Sequence, residues 1–154
     1  MRVQISPPAP KKFINFLKYM LHQKNLSIVV SCIDYRFWPQ ALPLLKEKYG
    51  YFDLITIAGA IKNLTSPAKK ESKKTLLENI GISIKLHHPH SIILVNHIDC
   101  GAYGGSKNFK SEKKEIEFHK KELEKAEKII QKKFPQLTIK KEFLTVNKEK
   151  VKFL

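Results

Sequence analysis

SIILVNHIDCGAYGG, residues 91–105, changes character halfway along. Ile92 to Val95 is apolar without alternation, the pattern of a strand buried on both faces, as in a parallel sheet. His97 and Cys100 follow where that strand hands over to a loop, and Gly101, Gly104 and Gly105 make the loop a turn. Ligands and reactive groups collect at this edge of an open α/β sheet. The chain has one other cysteine, Cys32, and it repeats the arrangement: it follows Ile28-Val29-Val30 and opens the string CIDYRF. The remainder reads as a frame that brings two strand ends together.

Upstream, Leu26 to Cys32 reads as the first strand and Pro39 to Lys48 as a helix. Pro39 sits in its first turn and Gly50 ends it. Phe52 to Ile57 is a second strand, and Ala58-Gly59-Ala60 a turn of small residues where backbone can approach closely. Ser66 as cap with Pro67 just inside predicts a helix from 68 to about 86, burying Leu76, Leu77, Ile80 and Ile84. Gly81 within it suggests close packing on the sheet. Downstream, Lys107 to Lys133 predicts one long helix with a stripe of Ile116, Leu123, Ala126, Ile130 and Phe134. Pairs such as Glu117–Lys121 and Glu124–Lys128 decorate it, and Pro135 stops it. Leu137 to Val146, a turn at 147–150 and Val151 to Leu154 predict a closing hairpin. The expected architecture is α/β: a mostly parallel central sheet flanked by helices with a C-terminal antiparallel hairpin. Residues 1–154 form a single domain, with 1–10 a Pro-rich arm and 11–24 an amphipathic helix carrying Phe13, Phe16, Leu17, Met20 and Leu21.

No apolar stretch approaches the roughly 20 residues that span a membrane. The opening MRVQISPPAPKKF lacks the apolar core of a secretion signal, so the cytoplasm is expected. Two cysteines make no disulfide framework. The net charge of +15 is almost all lysine, with Arg2 and Arg36 the only arginines. Dispersed lysine solvates a surface, whereas base and phosphate recognition leans on arginine forks, so no specific nucleic-acid partner is expected. In such a chain an arginine two residues from Asp34 suggests a geometric need for a guanidinium. The cysteines lack C-x-x-C spacing, which argues against a thiol redox site.

Two sulfurs and an imidazole suit Zn²⁺, and three protein ligands, Cys32, His97 and Cys100, leave a fourth position open. The same residues also fit two buried thiols and a satisfied histidine. Asp34 can accept two hydrogen bonds from Arg36. It can then either face the fourth position and orient a water, or bind the metal itself. His87, His88 and His90 belong to the opposite end of the strand and read as surface loop.

C-x-D-x-R at 32–36, followed by H-x-x-C-G at 97–101, resembles the signature of the beta-class carbonic anhydrases. The resemblance is clear over roughly 25–105 and looser over the final hairpin. It implies Cys32, His97 and Cys100 as zinc ligands and Asp34 with Arg36 as the catalytic dyad. The reaction implied is reversible hydration of carbon dioxide to bicarbonate. Homodimers or larger homo-oligomers with clefts at subunit contacts follow, the helix at 11–24 being the element to pack on a partner. Tyr35, Phe37, Ile61 and Tyr103 are candidates for the pocket wall, and His119 or the 87–90 cluster for moving protons. Thr56-Ile57 departs from the family's Arg-Asn, and the segment after the glycine loop is short. A second reading is therefore a catalytically weak or inactive zinc-binding relative with an interaction or regulatory role.

Overall fold

The computed structural model describes residues 11–12 and 26–154. Lys11 and Lys12 are helical and exposed; the arm and the rest of the helix expected over 11–24 lie outside the described residues. The element order is β1 (Ser27–Ser31), α1 (Trp38–Tyr49), β2 (Phe52–Thr56), α2 (Lys62–Thr65), α3 (Lys70–His87), β3 (Ser91–His97), α4 (Glu112–Lys133), β4 (Thr138–Asn147) and β5 (Lys150–Phe153). The sheet order is β2-β1-β3-β4-β5, parallel except for the β4–β5 hairpin. No helix of the described residues is long and apolar enough to cross a membrane.

β1 and β3 are buried along their whole lengths, as continuous apolar runs require. Their alternate residues supply two cores. Ile28, Val30, Ile92 and Leu94 meet Ile61, Leu64, Leu76, Ile80, Leu123, Ala126 and Ile130 on the face covered by α2, α3 and α4. Val29, Ile93 and Val95 meet Phe37, Ala41 and Leu45 on the α1 face. Each large aliphatic side chain so buried contributes roughly 1.5–3 kcal/mol.

The order places the site. From β1 the chain crosses by α1 to β2 on one side, and from β3 it crosses by α4 to β4 on the other. The two connections leave adjacent strands in opposite directions and over opposite faces. A crevice therefore opens between the C-terminal ends of β1 and β3.

Several boundaries differ from the sequence reading. Ser66 does not cap the long helix: its N–H donates to Lys62 O and closes α2, a short helix the pattern did not reveal. α3 begins at Lys70 after extended Lys69. α4 begins at Glu112, not Lys107, because Gly104 and Gly105 have positive φ and 106–108 form a 3₁₀ turn. Ser111 caps α4 by accepting from Lys114 N. The ion pairs within α4 are Lys114–Glu117 and Lys125–Glu122, three residues apart rather than four. A Cβ on Gly81 meets nothing within 4 Å, so that glycine is not a close-packing position.

The hairpin turn is made by Lys148 and Glu149, with φ of 46° and 62°, a backbone usually given to Asn-Gly. Gln40 of α1 compensates. Its side chain donates to Glu149 O and accepts from Val151 N, fixing the turn from outside.

Candidate metal centre

Cys32 lies one residue beyond β1, His97 ends β3, and a tight turn carries the chain to Cys100. One donor atom from each lies within 4.8 Å of the others, and all three residues are buried. These are the groups the sequence singled out, brought to the crevice the sheet order creates.

The ring of His97 packs against Phe37, centroids 4.3 Å apart. Its Nδ1–H donates to Ile98 O at 2.8 Å, which leaves the Nε2 lone pair free. That Nε2 is buried and has no hydrogen-bond partner. Leaving such a group unsatisfied costs about 1–3 kcal/mol, and a cation beside two sulfurs satisfies it. The thiols are poised likewise. The contact with Cys100, joined by the N–H groups of Gly59 and Asp34, holds the Cys32 thiol well below its usual range against the opposing effect of burial. The same contact, and burial, push Cys100 upward. A metal ion takes both sulfurs as thiolates, so its binding releases the thiol protons. The donor set, its burial and the orphaned nitrogen all fit a metal ion.

Gly59 explains how the loops close on this point. Its N–H donates to Cys32 Sγ at 3.3 Å. Its φ is +74°, and a Cβ there would stand 2.6 Å from Ala102 Cβ. The turn of small residues after β2 therefore brings its bare Gly59 backbone against the methyl of Ala102 in the loop after Cys100.

Asp34 and Arg36 lie at the mouth. Arg36 Nε donates to Asp34 Oδ1 at 2.9 Å and Nη2 to Oδ2 at 2.7 Å, a two-point fork. Asp34 thus accepts the two hydrogen bonds expected from Arg36, one on each carboxylate oxygen. Oδ2 also stands 4.0 Å from His97 Nε2. The fork is the main reason the Asp34 carboxyl is held below its usual range. A cleft of about 360 Å³ opens here, lined by Cys32, Ile33, Asp34, Tyr35, Arg36, Ala58, Gly59, Gly101 and Ala102. Of the wall candidates only Tyr35 lines it. Phe37 and Ile61 are core, and Tyr103 packs edge-on against His119.

Two residues of the site escaped the sequence reading. Asp99 takes Arg36 from the opposite side: Nη1 donates to its Oδ2 at 2.7 Å and Nη2 to its carbonyl at 2.8 Å. Glu115, fully buried in α4, accepts from Asp99 N at 2.7 Å and from Ser106 Oγ at 2.6 Å. A signal existed. Counting back from Ala126 at helical spacing lands on Glu122, His119 and Glu115, whereas the predicted stripe ran to Ile116, which is only half-buried.

The proton-carrying candidates fare differently. His119 is fully buried and accepts from Asn96 Nδ2, and burial lowers its pKa to about 4. It is a neutral core group. His87 pairs with Asp53, and His90 N donates to Leu26 O at the opposite end of the sheet.

Comparison with known proteins agrees with this geometry. Residues 22–153 match a family model described as "Putative carbonic anhydrase". An uncharacterised protein of Rickettsia bellii is 32% identical over 140 residues, 85% of each chain. One of Rickettsia conorii is 31% identical over 140 residues, 85% of this chain and 75% of that one. A match from residue 22 to 153 spans β1 to β5 and every residue of the site, and on that ground the chain belongs to this carbonic anhydrase-like family.

Proposed function

We propose that the chain is a zinc-dependent carbonic anhydrase that interconverts carbon dioxide and bicarbonate with release of a proton. The observation that carries this reading is the convergence of Cys32, His97 and Cys100 beside the Asp34–Arg36 fork. Cys32, His97 and Cys100 hold the zinc. When bound, zinc would supply a strongly acidified water, nucleophilic near neutral pH.

The chain's own side chains do the rest. Ile98 O fixes the His97 tautomer that presents Nε2. Asp34 Oδ2, on the His97 side of its carboxylate, accepts a hydrogen bond from the attacking water and directs its lone pair. Arg36 keeps Asp34 ionised, because the guanidinium favours the charged carboxylate and cannot itself give up a proton at working pH. The proton leaves through the mouth, since His119 on the buried side is neutral and walled in by Tyr103, Phe118 and Phe143.

Ile33 and Tyr35 on the rim are 55% and 81% exposed, so the described residues build little wall over the open side. A second copy of the chain covering that rim fits an active homo-oligomer. Free thiols of this kind suit the reducing cytoplasm. The exposed rim also favours the second reading, a zinc-binding relative with an interaction role. Thr56 and Ile57, where the family pattern departs, do not line the cleft. Stopped-flow carbon dioxide hydration with Cys32→Ser as control separates the two. Hydration in the native chain and background in the variant supports the enzyme. Bound zinc with no hydration from about pH 6 to 9 supports the relative.

A further inference from the structure

Arg36 is gripped from two sides. Four donor contacts leave its guanidinium: two to the Asp34 carboxylate, one to Asp99 Oδ2 and one to Asp99 O. Asp99 stands between two of the metal-site residues, His97 and Cys100, with φ of 54°. Its other carboxylate oxygen, Oδ1, accepts from Ser106 N at 2.8 Å. Its backbone N–H donates to Glu115, whose second oxygen takes Ser106 Oγ. A continuous run of hydrogen bonds therefore leads from a fully buried carboxylate in α4, through the turn that carries Cys100, to Arg36 and then Asp34. Glu115 has no lysine or arginine partner among the described residues; its nearest ring nitrogen is His119 Nε2 at 3.8 Å. A buried carboxylate spent on one backbone N–H and one hydroxyl is a costly way to pin a turn unless the position of that turn matters.

We infer that Asp99 and Glu115 are positioning residues: they lock Arg36 so that Asp34 stays in the fork and off the open side of the metal. The inference rests on the metal reading above. An Asp34 released from the fork, with Oδ2 already 4.0 Å from His97 Nε2, turns toward the cation and competes with any incoming ligand. Asp99→Gly and Asp99→Asn are suitable variants, since both residue types tolerate the left-handed backbone there.

The test loads each protein with Co²⁺, measures cobalt content, and follows the absorption spectrum during azide titration. The native chain is expected to take up cobalt stoichiometrically and change spectrum with azide. Asp99→Gly is expected to keep its cobalt and its thermal midpoint but to bind azide at least about ten-fold more weakly. Glu115→Gln is expected to shift azide affinity in the same direction by less. Unchanged azide affinity in cobalt-loaded Asp99→Gly overturns the clamp and leaves the metal reading standing. Unchanged affinity in Glu115→Gln removes Glu115 from it. Failure of the native chain to take cobalt overturns the metal reading, and the clamp with it.

Discussion

The two ends of the sheet both carry histidines, and among the described residues only the C-terminal edge gathers donors that could hold a metal. At the N-terminal edge His87 already has a carboxylate partner in Asp53, and the turn holding His88 and His90 offers no convergent set among the described residues. At the C-terminal edge His97 is buried, its Nδ1 is tied down, and its Nε2 faces two thiols with nothing to bond. Three histidines within four residues are therefore weaker evidence than one histidine and two cysteines scattered over 69 positions. What matters is where the strand order opens a crevice, and whether the donors arriving there have spent their lone pairs.

The sharpest way to break that contrast is to swap the ends experimentally. Cys32→Ser, Cys100→Ser or His97→Ala should abolish stoichiometric metal binding, while His87→Ala and His90→Ala leave it unchanged; atomic absorption on dialysed protein decides. Arg36→Lys comes next. A lysine keeps one charge but cannot fork to Asp34 while reaching Asp99, so hydration should fall by roughly 10- to 100-fold with metal retained.

Smaller effects sharpen the contrast between a close approach and an open one. Gly59→Ala must accept both a left-handed backbone and a Cβ 2.6 Å from Ala102, and should cost upward of about 2 kcal/mol in urea unfolding. Gly81→Ala adds a methyl to open space on a helix and should stabilise by about 0.5–1 kcal/mol. His119 gives the smallest and most specific signal. Its pKa falls from 6.5 unfolded to about 4 folded, so the unfolded chain binds the proton more readily between those values. Its contribution is fully present above pH 6.5 and is lost as pH falls toward 4. His119→Gln should flatten the stability profile in that window by up to about 1.4 kcal/mol per pH unit.

The sequence made the architecture and the three convergent donors legible because both rest on contiguous signals: unbroken apolar runs, and cysteines immediately after them. Asp34 and Arg36 stood out for the same local reason. Asp99 and Glu115 did not. Asp99 sits unmarked between His97 and Cys100, and its role exists only once Arg36 arrives across 63 residues. Glu115 is hidden by composition, since in a helix of lysine and glutamate one buried carboxylate looks like its solvated neighbours. The start of α4 was misplaced because charge continues across two glycine-driven turns, and α2 was missed because a single helical turn has no periodicity to read.

The central claim is that Cys32, His97 and Cys100 grip one cation and leave it an open side. Metal analysis and carbon dioxide hydration on the same freshly purified sample test it most directly. The account predicts zinc in a one-to-one ratio with the chain, hydration above background, and loss of both in Cys32→Ser. Protein that is folded, thermally cooperative and free of zinc after purification in zinc-containing buffer would contradict it.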